Sequence, residues 1–577
     1  MLSIQEYGLK GHDNLAQGNA LGVKAGERIV RGMELFKVKS LFRTKRHKSL
    51  FLQKNNVSQF RPKEVFRFEL SYSIGRFSLG LPNPRRCLGL KSTGLSGRNL
   101  VRVVQLLLLS GFFFIACTPV SKKPFNFSGI DKMIQSGEFK KAELRADSLK
   151  TTGTLGAADL YKMDSIVDIG RRVRLDFRLT EPEIKTQLSK YFPVLDTALF
   201  RNWETTLKLE MRLIDGEKRY FKNAVSNLFR LDDEARKYKE KVDGFQVDSL
   251  NLFCLQHTAK VISATKTSGE SVLPVRMKLT YTVKAKPNAI PDGQIIRCWM
   301  PFPREGHSRQ KSINLRKSDP EKAMGAPESD LQHAVYLEKK AVKDQPTVFQ
   351  IEFEVETAAQ YFDLDQAKIK PYNTESTVYK ENTVERAPQI VFSPKIKQLA
   401  NRILGGETNP LLKVQKIYSW INDSVRWASA LEYSTIPDIP EYVMKTHHGD
   451  CGMQTLLFMS LARSQGIPVK WQSGWMLHPH EVNLHDWCEV YYEGIGWVPL
   501  DQSFGLQASP DEKVRNFYRS GIDSYRLIVN DDYSRKLTPE KKFPRSEPYD
   551  FQRGELEWEG GNLYFNQWSW EMEVNYQ

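Results

Sequence analysis

Cysteine pairs, acidic residues near the start and long apolar runs are what this sequence has little of, and each shortage excludes a class of protein. The six cysteines are Cys87, Cys117, Cys254, Cys298, Cys451 and Cys488. No two of them form a CxxC pair, which removes zinc-ribbon and thioredoxin-type readings. Six in 577 residues are too few for a disulfide framework, although Cys254 and Cys298 could pair in an oxidising compartment. There is no HExxH motif and no 34-residue repeat. No apolar run reaches the ~20 residues needed to cross a bilayer. Acidic residues are scarce only at the start: residues 1–100 hold 19 Lys and Arg against 6 Asp and Glu, and the remainder 65 against 62. Most of the formal charge of +16 therefore sits in the first hundred residues. The body is nearly neutral, and a nucleic-acid role for it loses its main support.

What is present divides the chain into six stretches. Residues 1–98 are basic, with clusters such as Arg43–Lys48, and lack periodicity. They read as a disordered extension or as residues upstream of the true translation start, the alternative being a nucleic-acid or targeting arm. Residues 99–117 have a basic flank, an apolar run from Leu106 and the sequence Phe114-Ile115-Ala116-Cys117. This has the length of a signal-peptide hydrophobic region and resembles a lipobox, with Cys117 as the lipidated residue. Residues 118–250 read as helical, with a capping box at Thr180-Glu181-Pro182-Glu183. In residues 265–375 apolar side chains alternate with polar ones at Val275–Val283 and at Phe349–Val355, which predicts half-buried antiparallel strands and a β-sandwich-like domain. Residues 390–510 hold the candidate catalytic core. Residues 511–577 read as a β-rich extension packed on that core, with a hairpin at Gly560-Gly561.

The core carries the chemistry. Cys451 precedes an apolar helical run, Met453–Ser464, so it is placed at a helix N-terminus, where free N–H groups and the helix dipole favour a thiolate. His485 opens a predicted strand, His485–Tyr491, and Asp501 closes the next one, Trp497–Asp501. A turn centred on Glu493 would set His485 directly opposite Asp501, with Cβ atoms ~5 Å apart. The carboxylate would then orient the imidazole while its other nitrogen faces Cys451. His447 and His448 are alternative bases, and with His478, His480 and His485 a metal site is conceivable, though one thiol, one imidazole and one carboxylate account for more of the pattern.

Gly449-Asp450-Cys451-Gly452, His485-x-Trp487-x-Glu489-Val490-Tyr491 and Gly496-Trp497-Val498-Pro499-Leu500-Asp501 together resemble the transglutaminase-like superfamily. The resemblance implies an α+β papain-like core, here preceded by an α-helical region and an antiparallel β-sandwich-like domain. Carried over by position, Cys451 is the nucleophile, His485 the general base and then acid, and Asp501 the orienting residue. No side-chain oxyanion donor is placed; Trp427 is a guess. The resemblance implies a cysteine peptidase or amidase that cleaves or transfers an amide bond of a peptide or protein through a thioester, with no cofactor and no metal. With Cys117 lipidated, the expected setting is the cell envelope of a Gram-negative bacterium, anchored to membrane and bound to no nucleic acid. The alternative is a non-catalytic peptide- or glycan-binding module on the same scaffold.

Overall fold

Local sequence signals start most of the elements. The computed structural model describes residues 125–153 and 155–577; the lipobox, Cys117 and the basic stretch lie outside the described residues. Gly137, at φ 79°, turns α1 (Ser128–Gln135) into α2 (Phe139–Lys150), and α3 (Ala157–Asp176) follows. Helix α4 (Glu181–Ser189) begins on the expected capping box: Glu183 N donates to Thr180, and Thr180 N donates to the Glu183 carboxylate at 2.7 Å. After α5 (Thr197–Thr205) comes a departure from the helical reading. Strands β1 (Met211–Ile214) and β2 (Glu217–Tyr220) form a hairpin whose turn is Asp215-Gly216, both at positive φ. Asp-Gly is a strong signal for such a turn, overlooked among the charged residues around it. Helices α6 (Ala224–Leu231), α7 (Asp233–Asp243) and α8 (Ser249–Ala264) complete this region.

The alternating stretches form strands as predicted, within β3 (Ser271–Ala285) and β8 (Thr347–Tyr361), which pair antiparallel. Between them lie β4 (Ile295–Pro301), β5 (Gln310–Asp319), β6 (Met324–Gly325) and β7 (Ala334–Lys340). Helices α9 (Thr377–Asn382), α10 (Pro394–Leu404) and α11 (Pro410–Ser424) then lead into the core. The core itself contains β9 (Arg426–Trp427), α12 (Ile439–Thr446), β10 (His448–Gly449), α13 (Cys451–Arg463), β11 (Val469–His478), β12 (Glu481–Tyr492) and β13 (Gly496–Leu500). The last elements are α14 (Glu512–Arg515), β14 (Gly521–Ile522), β15 (Arg526–Asn530), β16 (Glu555–Trp558), β17 (Gly561–Leu563) and β18 (Trp568–Tyr576).

The result is a mixed α/β fold with several antiparallel sheets. One four-stranded sheet runs β13-β12-β11-β15. A second contains β14-β8-β3-β18 with β5 added to β8, and a third runs β17-β16-β4-β7-β6. Strands β16, β17 and β18, read from the sequence as an extension packed on the catalytic core, hydrogen-bond into the second and third sheets, β18 pairing β3 from Met277 to Ala285 and β16 pairing β4. Nothing local in their sequence names a partner so far upstream. Apolar residues of both sheets, among them Leu279, Tyr281, Trp299, Phe353 and Met572, share one core with Trp475 and Leu477 of the four-stranded sheet. A larger core joins α13 to α10, α11 and the upstream helices, burying Trp203, Leu228, Ile417, Leu457 and Val490 together. Among the described residues no helix is long and apolar enough to cross a membrane.

Trp475 is the joint between sheets. It is fully buried, its ring stacks on Tyr281 at 5.0 Å, and its Nε1 donates to Gln552 O at 3.0 Å. Replacement by Ala is expected to cost about 3–5 kcal/mol, read as a lower urea midpoint with unchanged slope.

Candidate active site

The helix of Cys451 is built to hold its first residue rigidly. Asp450 is the N-cap of α13, and its carboxylate accepts from Met453 N at 3.1 Å and from the Tyr433 hydroxyl at 2.5 Å. Such a cap satisfies one of the free N–H groups of the first turn. Gly452 gives room here: a Cβ would collide with the Tyr433 hydroxyl and lie 2.6 Å from Asp486 Oδ2, so both side chains would have to move. Cys451 keeps part of its surface open, whereas Cys254, Cys298 and Cys488 are buried. Its Sγ–H donates to Asp486 Oδ2 at 3.4 Å. Gln552 Nε2 holds the other oxygen of Asp486, and also His485 O, at 2.8 Å each.

These surroundings do not favour the thiolate. Burial pushes the Cys451 thiol well above its ordinary value, and the Asp486 and Asp450 carboxyl groups push the same way. A helix dipole contributes about 0.3–1 kcal/mol, while full burial shifts a titrating group by up to ~3–5 units, each worth about 1.4 kcal/mol. Burial outweighs the dipole, contrary to the expectation from the helix position alone. Asp450 is pushed up to about 6, chiefly by burial, and Asp486 rises well above the usual carboxylate range through burial and the charge of Asp550.

His485 and Asp501 meet, by a different register from the one expected. Cys488 pairs Leu500 and Tyr492 pairs Gly496, so the turn centres on Gly494, at φ 87°, not on Glu493. Extended to the end of β13, that register sets Asp501 against Trp487, diagonal to His485 on one sheet face. The diagonal is short enough: His485 Nε2 lies 2.8 Å from Asp501 Oδ2. Nδ1 is then the nitrogen left for a thiol, but no hydrogen bond joins His485 to Cys451 in this geometry. Burial lowers the His485 pKa, against the opposing pull of Asp501. Burial raises that of Asp501, yet the charges of His485 and Arg526 outweigh it and leave the carboxyl below its ordinary value.

Arg526 is the residue that sequence reasoning missed most completely. It is fully buried; its Nη2 donates to Asp501 Oδ2 and its Nη1 lies against Asp523 Oδ2, both at 3.1 Å, while Nη1 is 3.0 Å from His478 Nε2. Phe504 covers its face at 4.0 Å. No motif marks it, because it comes from β15, past the stretch in which the sequence pattern sits.

The remaining candidates lie elsewhere. His447 terminates α12 in a left-handed conformation, and buried His448 packs against Tyr442. His478 bonds Asp523, and burial takes His448 and His478 down to about 4. His480 packs against Phe253. Trp427 sits on β9 opposite Gly449, under the Arg230 guanidinium. Cys254 and Cys298 are free thiols. Among the described residues no group of three or more His, Cys, Asp or Glu side chains is arranged to hold a metal ion.

With the nucleophile candidate at a capped helix start and the His–Asp pair on the adjoining strands, comparison with known proteins is informative. Residues 397–502 match the core of the transglutaminase-like superfamily. The chain carries a transglutaminase-like domain. It is 26% identical to an uncharacterized protein of Haemophilus influenzae over 157 residues, 23% of this chain and 42% of that protein. It is 23% identical to the uncharacterized protein YebA of Bacillus subtilis over 131 residues, 19% of this chain and 18% of that one. The alignments thus span less than half of either relative. Among solved structures it is similar to a candidate cysteine protease from Cytophaga hutchinsonii, with 16% identity, a TM-score of 0.36, and coverage of 53% of this chain and 91% of that one. The periplasmic domain of TgpA from Pseudomonas aeruginosa gives 13% identity, a TM-score of 0.22, and coverage of 45% and 93%. Cys451, His485, Asp486 and Asp501 all fall inside the transglutaminase-like domain, and Arg526 and Gln552 come from beyond it.

Two outcomes follow from this environment. Asp486→Asn is expected to move the pH midpoint of Cys451 alkylation down by about one unit or more, read by peptide mass spectrometry after iodoacetamide; an unmoved midpoint would remove Asp486 as a cause. Glu481, 8% exposed with Oε2 unpartnered, is pushed up to about 8 by burial. The folded state therefore loses stability as pH rises from the ordinary glutamate value through about 8. Glu481→Gln is expected to raise the melting midpoint relative to the parent at pH 9, with the gap closing by pH 5.

Proposed function

We propose that this chain is a lipid-anchored, extracytoplasmic cysteine enzyme that cleaves or transfers an amide bond of a peptide or protein. What supports the reading is Cys451, a residue with part of its surface exposed, at the capped start of α13 in a transglutaminase-like domain that also holds a hydrogen-bonded His485–Asp501 pair. Cys451 Sγ adds to the substrate carbonyl carbon, and its proton passes to His485 Nδ1. Asp501 stabilises the imidazolium. As the C–N bond breaks, that proton goes to the leaving amine, and a thioester to Cys451 remains. Water releases the acid, or a second amine takes the acyl group. Hydrolysis is the preferred outcome, so the activity is that of a peptidase or amidase. The Cys451 N–H at the helix terminus is a candidate oxyanion donor.

The anchor rests on the lipobox-like Phe114–Cys117, with Cys117 as the modified residue and the envelope of a Gram-negative bacterium as the setting. The second and third sheets form a β-sandwich-like unit that, with the helices, decides which substrates reach Cys451. One observation favours the second reading, a non-catalytic binding module: the Cys451 thiol is pushed up and bonds Asp486, not His485.

Cys451→Ala separates the two. Turnover of a fluorogenic peptide library is expected to fall at least about 10³-fold with the circular dichroism spectrum unchanged. Undiminished turnover would refute the enzyme reading, and peptide binding without turnover in the parent protein would establish the module.

A further inference from the structure

A cavity of about 420 Å³ opens between α3 and the segment that joins β17 to β18, away from the residues assigned to catalysis. Its size falls among small-molecule sites. Asp168, Arg171, Arg172, Arg174, Tyr564 and Asn566 line it among others, so three guanidinium groups face it against one carboxylate. Arg171 and Arg174 are engaged by Glu143 of α2, while Arg174 Nη1, 3.7 Å from Asp215, is itself buried without a hydrogen-bond partner.

Arg172 is different. It is 4% exposed, and its Nε and Nη2 atoms are buried without a hydrogen-bond partner. Asp168 comes no nearer than 3.6 Å. Its Cζ lies over the Tyr564 ring, 4.6 Å from the ring centre, and the Tyr564 hydroxyl is likewise buried without a hydrogen-bond partner. Buried polar groups are paired in the large majority of cases, with protein, water or ligand. Nε–H and Nη2–H lie on one edge of the guanidinium, the edge whose two parallel donors match a carboxylate or phosphate.

We propose that this cavity binds a ligand bearing an oxyanion, a carboxylate or a phosphate, gripped by the Nε/Nη2 edge of Arg172 with the Tyr564 hydroxyl as a further donor. Arg171 and Arg174 add positive charge around it. The site goes beyond the proposed activity and stands whether or not Cys451 is catalytic. It is wired to that region all the same: Asp176, one turn along α3 from Arg172, accepts from Glu432 N at 2.9 Å, and the next residue, Tyr433, holds the N-cap of α13.

Isothermal titration calorimetry of the full chain with inorganic phosphate, and separately with glutarate, at neutral pH and low salt tests this. Saturable binding of either probe is expected, phosphate alone indicating a phosphorylated ligand and glutarate alone a carboxylated one. Arg172→Gln is expected to weaken binding about tenfold or more, and Arg171→Gln, at an exposed side chain, by about two- to threefold. If Arg172→Gln does not fold, Tyr564→Phe decides, with an expected loss of about threefold or more. Silence from both probes, or binding in Arg172→Gln or Tyr564→Phe as tight as in the parent, would overturn the proposal.

Discussion

The arrangement around His485 depends on one buried positive charge. Arg526 reaches no solvent, and burying a guanidinium is costly unless its charge and its donors are met. Asp501 and Asp523 supply two carboxylates and Phe504 covers the face. In return Arg526 fixes where the chain after β13 can lie, because Asp501 has to reach His485 and Arg526 with the same oxygen. It also ties β15, an outer strand of the sheet, to the residues that follow its opposite edge. Asp501 is kept ionised, but part of its field is spent on Arg526, so its hold on a protonated His485 is weaker than that of an unshared carboxylate.

Cys451 sits in the opposite kind of environment. Asp450, Asp486 and Asp550 crowd the helix start, and Arg553, whose charge opposes the rise at Asp450 and Asp550, is committed to Glu432 and Glu547. Burial pushes these carboxyl groups up, and it pushes the thiol up as well, toward its protonated form. A thiol kept in that form is a slow nucleophile and also a slow target for oxidants, since both reactions run through the thiolate.

Local signals in the sequence carried the elements well and the site in part. The Thr180–Glu183 box, the alternation in β3 and β8 and the helix after Cys451 all act within a few residues, and each forms where expected. The His485–Asp501 contact was legible because a hairpin constrains its own partners, even though the turn centre moved by one residue to Gly494. The rest was hidden for one physical reason: the deciding contacts join residues far apart in the chain. Arg526, Gln552 and Tyr433 reach the site from separate segments. In the sequence Asp486 is a filler between His485 and Trp487; only the packing of α13 on its side of the strand brings it to the thiol.

Strand β18 has a further consequence. It runs along β3 through nine residue pairs, yet the chain between them, from 286 to 567, includes the whole transglutaminase-like domain. While the polypeptide is being made, β3 waits with one edge bare through the synthesis of the whole transglutaminase-like domain. Such contacts are slow to form because a long loop must close first. A nascent chain therefore exposes a β-edge, the usual starting point for misassembly, through the synthesis of residues 286–567, and a folding helper that masks that edge would act there with most effect.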